Sequence, residues 1–347
     1  MKRISLLFVL LLSFNGWSTT IDDFKAHEPT NTGTWAEQWF YNVADPAIGY
    51  FKISFQTYIA PTHDNNEIKS YIHLAFTPIN GATIKYDLFN DDPIVAHPTD
   101  PNKFYYELPG LLKADEETLS ITHPDFSFNM EWTGPHKQYW KGLNPYQTPF
   151  SFIPELPGVG GKWFLYTVGT PIQYDFNNGA QAWSGSGYAQ VDKGWYDKET
   201  SVGMMYMMGL SDDVKFMFTG AVFGDTTIEM WGGRYISDNY DLVFLPAFKG
   251  LSVKRESDPC NGTLSVEMKK IGKKITINAA ADIDTFYSQS FPSAIIFGGE
   301  QRYMKSMKAN VDFNVYEFGR LKEEVNIAQA LLEFSGRFAC DAVVNPQ

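Results

Sequence analysis

The stretch GYAQVDKGWYDKE, residues 187–199, sets a carboxylate and an ammonium, Asp192 and Lys193, among Tyr188, Trp195 and Tyr196. A carboxyl held among aromatic rings has its charged form desolvated, so its pKa rises and it keeps its proton nearer neutral pH. Such an acid can protonate an unactivated carbon–carbon double bond, and neighbouring ring faces then stabilise the carbocation that forms. The same residues also read as an exposed ion pair where a strand runs out into solvent, with Trp195 capping the core, because most charges in strands are solvated. The residues alone leave both readings open. Upstream, Gly185 and Gly187 permit close backbone approach, and Tyr188, Gln190 and Asp192 share one face of an extended strand.

Other chemistries find less support. No HxH, HExxH or CxxC spacing accompanies the six histidines, so no metal site is expected. WSGSGY lacks the GxSxG spacing of a nucleophile elbow. No cofactor is expected. The two cysteines, Cys260 and Cys340, are expected to pair if the chain is exported. Export is what the first residues suggest: Lys2 and Arg3, the apolar run Ile4–Leu12 and then SFNGWSTT read as a signal peptide over residues 1–19. No segment is long and apolar enough to span a membrane, which places the mature chain in the periplasm or medium. Losing Lys2 and Arg3 leaves 26 basic residues of the original 28 against 40 acidic ones, a formal charge of −14. Nucleic acid is an improbable partner for such a chain.

Period-two alternation positions these residues on strands. Phe51, Ile53 and Phe55 alternate with Lys52, Ser54 and Gln56; Phe126, Phe128, Met130 and Trp132 alternate with Ser127, Asn129 and Glu131. TLSVEMKK, KKITINAA and NVDFNVYEF repeat the pattern, and an aromatic content of 16% with 28 glycines agrees with an all-β chain. LPGLLKADEE reads as one helical turn and GEQRYMKSMKAN as a short helix. The polar turn within MMGLSDDVK predicts a boundary, giving β-barrel domains at 20–210 and 211–347.

Four passages carry a family resemblance. GSGYAQVDKGWY resembles the glycine-tyrosine passage ending in acid-Lys-Asn-Trp-Gly of tocopherol cyclases, carotenoid 1,2-hydratase and AttH-like proteins. WAEQWFYNVADPAIGYFKISFQ is similar to their N-terminal Glu-Trp-Trp-Tyr passage, TPFSFIPELPGVGGKWFLYTVGTPIQYDF to their linker, and QALLEFSGRF to their closing Leu-Glu-x-x-Gly strand. The resemblance implies two packed lipocalin-like β-barrels with an apolar pocket and alkene-protonating, hydrating or ring-closing chemistry without a cofactor. By position it aligns Asp192 with the family's acid, Lys193 with its lysine and Trp195 with its tryptophan. Glu37, Trp39 and Tyr41 match the N-terminal passage, and Glu333 the closing strand. The chain departs where the family's Asn is Gly194 and its glycine is Tyr196, and two extra residues separate Tyr188 from Asp192.

Met204, Met205, Met207 and Met208 read either as core or as a soft pocket wall. Trp231 and Arg234 read as placing a cation near a pocket mouth, with Trp231 in contact with the ligand, or Gly232 and Gly233 as a hairpin turn between them. Two functions remain: an exported binder of a hydrophobic, lipid- or isoprenoid-like small molecule in a β-barrel pocket, and a cyclase, hydratase or isomerase with Asp192 as general acid and Lys193 tuning it. In both, Trp39, Tyr41, Tyr188, Trp195, Trp231, Glu37 and Glu333 contact the ligand.

Overall fold

The computed structural model describes residues 27, 35–59, 68–96, 104–135, 148–151, 161–196, 202–222, 228–289 and 303–344; the expected signal segment lies outside them. The alternating stretches form two antiparallel sheets. The first holds β1 (Ala36–Asp45), β2 (Gly49–Ile59), β3 (Ile68–Pro78), β4 (Ile84–Asn90), β5 (Val95–Ala96), β6 (Tyr105–Leu108), β7 (Leu112–Asp115), β8 (Thr118–His123), β9 (Phe126–Trp132), β10 (Gly161–Asn177) and β11 (Ala182–Tyr196). The second holds β12 (Gly203–Leu210), β13 (Lys215–Val222), β14 (Glu229–Ile236), β15 (Asp241–Phe248), β16 (Val253–Asp258), β17 (Thr263–Lys270), β18 (Lys273–Ala280), β19 (Tyr287–Ser288), β20 (Tyr303–Glu317) and β21 (Arg320–Gly336).

The two sheets share one plan. Each starts with a four-strand meander, and its long last strand returns to pair with its first: β11 with β1, and β21 with β12. Each sheet curls around its own apolar core, which draws Phe51, Ile72, Leu119 and Phe128 together in the first half and Phe216, Phe244, Ile277 and Phe313 in the second. A third cluster, including Tyr50, Leu165, Tyr206, Met208 and Leu331, joins the two sheets.

That third contact alters the meaning of the alternation. Lys52, Ser54 and Gln56 are as buried as Phe51, Ile53 and Phe55 on the other face. The polar face of β2 is turned not to water but to the second half, where Gln289 donates to Ser54 Oγ at 3.3 Å. The Met run divides in the same way. Met205 and Met207 fill the second core, whereas Met208 and Met204 face the contact between halves.

Three expectations are corrected. β12 belongs to the second sheet, so the change of sheet falls between Tyr196 and Gly203 and not after residue 210. The described part of GEQRYMKSMKAN, from Tyr303, is strand: Met304 enters the second core and Met307 the contact between halves, so a spacing that mimics one helical face serves two strand faces. LPGLLKADEE is a turn followed by β7, not a helical turn.

Cys260 and Cys340 form a disulfide with a Cα–Cα distance of 5.1 Å across 80 residues of sequence. It ties the turn before β17 to the short helix α1 (Asp341–Val344) beyond β21. Closing so long a loop restricts the unfolded chain, so replacing both cysteines with serine is expected to lower the unfolding free energy by about 2–4 kcal/mol. Denaturant titration of oxidised wild type against the double variant measures this, and a difference near zero refutes it.

Candidate active site

Alternation along β11 decides which residues meet. Asp192 and Lys193 are neighbours in sequence and leave opposite faces of the strand. Lys193 turns into the first half, fully buried, with Nζ 2.5 Å from Glu37 Oε1 and its charge over the rings of Trp39 at 4.9 Å and Trp195 at 5.1 Å. Nζ also donates to Tyr106 Oη at 3.3 Å. His27 closes the group: it stacks on Trp195 at 4.1 Å and lies 2.9 Å from Glu37 Oε1. Tyr41 lies in the same core. The structure thus gathers Glu37, Trp39, Lys193 and Trp195, but behind the sheet as seen from Asp192. The expectation that Lys193 tunes Asp192 is corrected by this geometry.

Asp192 faces the second half. It is 3% exposed, which removes the reading of a solvated pair at a strand end, and it lines a cavity of about 90 Å³ between the two sheets. Trp163 Nε1 donates to its Oδ1 at 2.9 Å and Gln190 Nε2 to its Oδ2 at 3.2 Å; Gln190 also donates to Tyr206 Oη at 2.9 Å. Burial pushes the carboxyl up to about 6, against the downward pull of Lys52 and the two donors. Phe40, Trp163, Tyr196 and Tyr206 supply the aromatic wall.

Glu333 reaches the same cavity from β21. Asp192 stands opposite Phe40 across β1 and β11, as Glu333 stands opposite Tyr206 across β12 and β21, so the two acids occupy corresponding places in the two halves. Glu333 is held by Lys305, whose Nζ lies 3.4 Å from Oε2 and donates to Gln289 Oε1 at 2.5 Å. Burial lowers the Lys305 pKa, with Glu333 opposing. Lys52, on β2, is also buried at the cavity, with its ammonium 4.6 Å from the Phe40 ring centre and 5.9 Å from that of Tyr206. Burial, reinforced by Lys305, lowers it to about 8.

Gly194 and Tyr196 are in contact. A Cβ at Gly194 would stand 2.3 Å from Tyr196 Oη, so the bare glycine makes room for the tyrosine two residues on, which folds along the same face to the cavity. Gly187 has a similar role against β1, where a Cβ would meet Ala44 O at 2.2 Å.

The remaining expected ligand contacts lie elsewhere. Tyr188 sits at the edge of the contact between halves, donating to Asp212 Oδ1 at 2.6 Å, with Lys215 over its ring. Trp231 is sealed in the second core and donates to Glu229 Oε1 at 2.7 Å; Arg234 pairs with Asp241. Gly232 and Gly233 mark an irregularity inside β14 and not a hairpin turn. Lys52, Lys305, Trp163 and Tyr206 are cavity residues that sequence reasoning passed over. The available signal was the run of Gln38, Asn42, Lys52, Ser54, Gln56 and His73 on the polar faces of three successive strands, all of them buried.

Among solved structures, this one is similar to a protein of Nitrosomonas europaea described as an AttH, with 13% identity over 94% of this chain and 98% of that one and a TM-score of 0.56. The architecture is the two-domain lipocalin-like fold. CghA, solved with Sch210972, superposes with 11% identity over 90% of this chain and 94% of its own at a TM-score of 0.56. Kievitone hydratase from Nectria haematococca does so with 8% identity over 88% and 89%, at 0.52. No family model matches the sequence and no curated protein is similar to it. Among the described residues no three His, Cys, Asp or Glu side chains converge as a metal site requires, and no helix is long and apolar enough to cross a membrane.

Proposed function

We propose that this is an exported protein that takes a hydrophobic, lipid- or isoprenoid-like small molecule into the cavity between its halves and protonates a carbon–carbon double bond of it through Asp192. One observation carries the reading: a carboxyl buried at an aromatic-walled cavity and raised to about 6. Asp192 gives its proton to one alkene carbon, the π pair forming the new C–H bond and the other carbon becoming cationic. Water then adds to the cation and releases a proton, or a neighbouring carbon loses one, or a second double bond closes a ring before a proton leaves. The returning proton restores Asp192, so no cofactor is consumed. Of the comparison structures, the hydratase is the one whose name states such a reaction.

A second reading, binding without chemistry, draws support from Trp163 and Gln190, whose donated hydrogen bonds favour the ionised carboxylate. The two separate in one experiment. Wild type and Asp192→Asn are each loaded with the lipids of the host, returned to deuterated buffer, and extracted for mass spectrometry. Acid catalysis predicts a product in the wild-type extract that carries deuterium on carbon, and its unlabelled precursor in the variant. Identical, unlabelled extracts leave only binding. Where turnover is seen, its rate is expected to fall as pH rises above about 6, because only the protonated acid donates.

A further inference from the structure

Lys52 is 5% exposed, lines the cavity, and among the described residues forms no hydrogen bond or ion pair. The ring faces of Phe40 and Tyr206 are its near neighbours. A buried ammonium is costly unless it is paired, and the other cavity lysine shows the contrast, since Lys305 is satisfied by Glu333 and Gln289. One wall of this aromatic cavity is therefore polar, cationic and unsatisfied.

We infer that the ligand is an amphiphile carrying an anionic oxygen of the carboxylate type, that this oxygen pairs with Lys52, and that the pairing readies Asp192 for proton transfer. The inference rests on the cavity being the binding site proposed above. Its last part follows from charge balance. The charged groups acting on Lys52 are Lys305, Asp192 and Glu333, and Glu333 is already engaged by Lys305. Lys52 consequently pulls on Asp192 and favours its ionised form, which is the wrong form for an acid. An anion on Lys52 cancels that pull, and Asp192 takes up its proton more readily. A neutral hydrocarbon leaves the pull in place.

The test uses matched probes: trans-cinnamate against cinnamyl alcohol, and octanoate against 1-octanol, titrated calorimetrically into the full chain. Each acid is expected to bind at least about tenfold more tightly than its alcohol at pH 7, as a charge-assisted pair should. That preference should fade as the pH passes about 8, where Lys52 loses its proton. Lys52→Met and Lys52→Gln, with folding checked by circular dichroism, should abolish the preference, each acid then binding no more tightly than its alcohol. A preference that persists in both variants overturns the inference. So does equal binding of acid and alcohol, or binding of neither. Asp192→Asn should keep the preference for acids, so failure of the Lys52 contact and failure of the proton transfer are read separately.

Discussion

Asp192→Asn is expected to abolish any proton transfer and, at the same time, to make the folded chain more stable at neutral pH. In the folded state the carboxyl holds its proton up to about 6, whereas an unfolded aspartate releases it near 3.8. The folded state therefore binds the proton more tightly, and stability falls as pH climbs through the window from about 4 to about 6. Once both states are ionised the loss amounts to about 3 kcal/mol. Asparagine has no charge to bury, and its amide can accept from Trp163 and donate to Gln190 once the Gln190 amide turns. Losing the attraction of Lys52 offsets part of the gain, so an increase of about 2 kcal/mol at pH 8 is expected, vanishing near pH 4. Urea titrations of both proteins at the two pH values decide it. Parallel stabilities at both would mean that Asp192 costs the fold nothing, and a site held under strain for function would lose its support.

Lys193 is expected to behave in the opposite way. Lys193→Met leaves Glu37 buried beneath the first core with His27 as its remaining hydrogen-bond partner among the described residues, and removal of one partner of a buried ion pair costs about 3–5 kcal/mol. Glu37→Leu combined with Lys193→Met removes both charges and should recover most of that loss. A Lys193→Met protein that stays as stable as wild type yet loses activity would contradict the geometry and return Lys193 to the chemistry.

Legibility in the sequence divides along the same line. Strands were readable wherever apolar residues alternated, because one face of each strand fills a core of its own half. The aromatic setting of Asp192 was legible only in part: of the aromatic residues near it in sequence, Tyr196 reaches the cavity, whereas Trp195 packs on Lys193 and Tyr188 on Asp212. What alternation does not say is where the other face goes. Lys52, Ser54 and Gln56 look like residues bound for water, and only the docking of the second sheet turns that face inward. Lys52, Lys305 and Tyr206 come from three distant strands, so no local pattern announces that they meet. Asp192 and Lys193 mislead for the converse reason: contiguity in sequence is separation in a strand. The change of sheet was misplaced because β12 alternates in the same manner as the strands before it, and pairing alone assigns it to the second half.

The shared plan of the two halves has a consequence for how the protein comes into being. Each half stays open until its last strand returns to its first, and those returning strands carry the two cavity acids, Asp192 on β11 and Glu333 on β21. Pairings between residues so far apart in the chain are slow to form. β12 emerges from synthesis more than a hundred residues before β21 and waits for it. A polypeptide that stops short of β21, or is clipped before it, lacks both the partner strand of β12 and half of the acid pair. Arrival of β21 and assembly of the pocket are thus a single event.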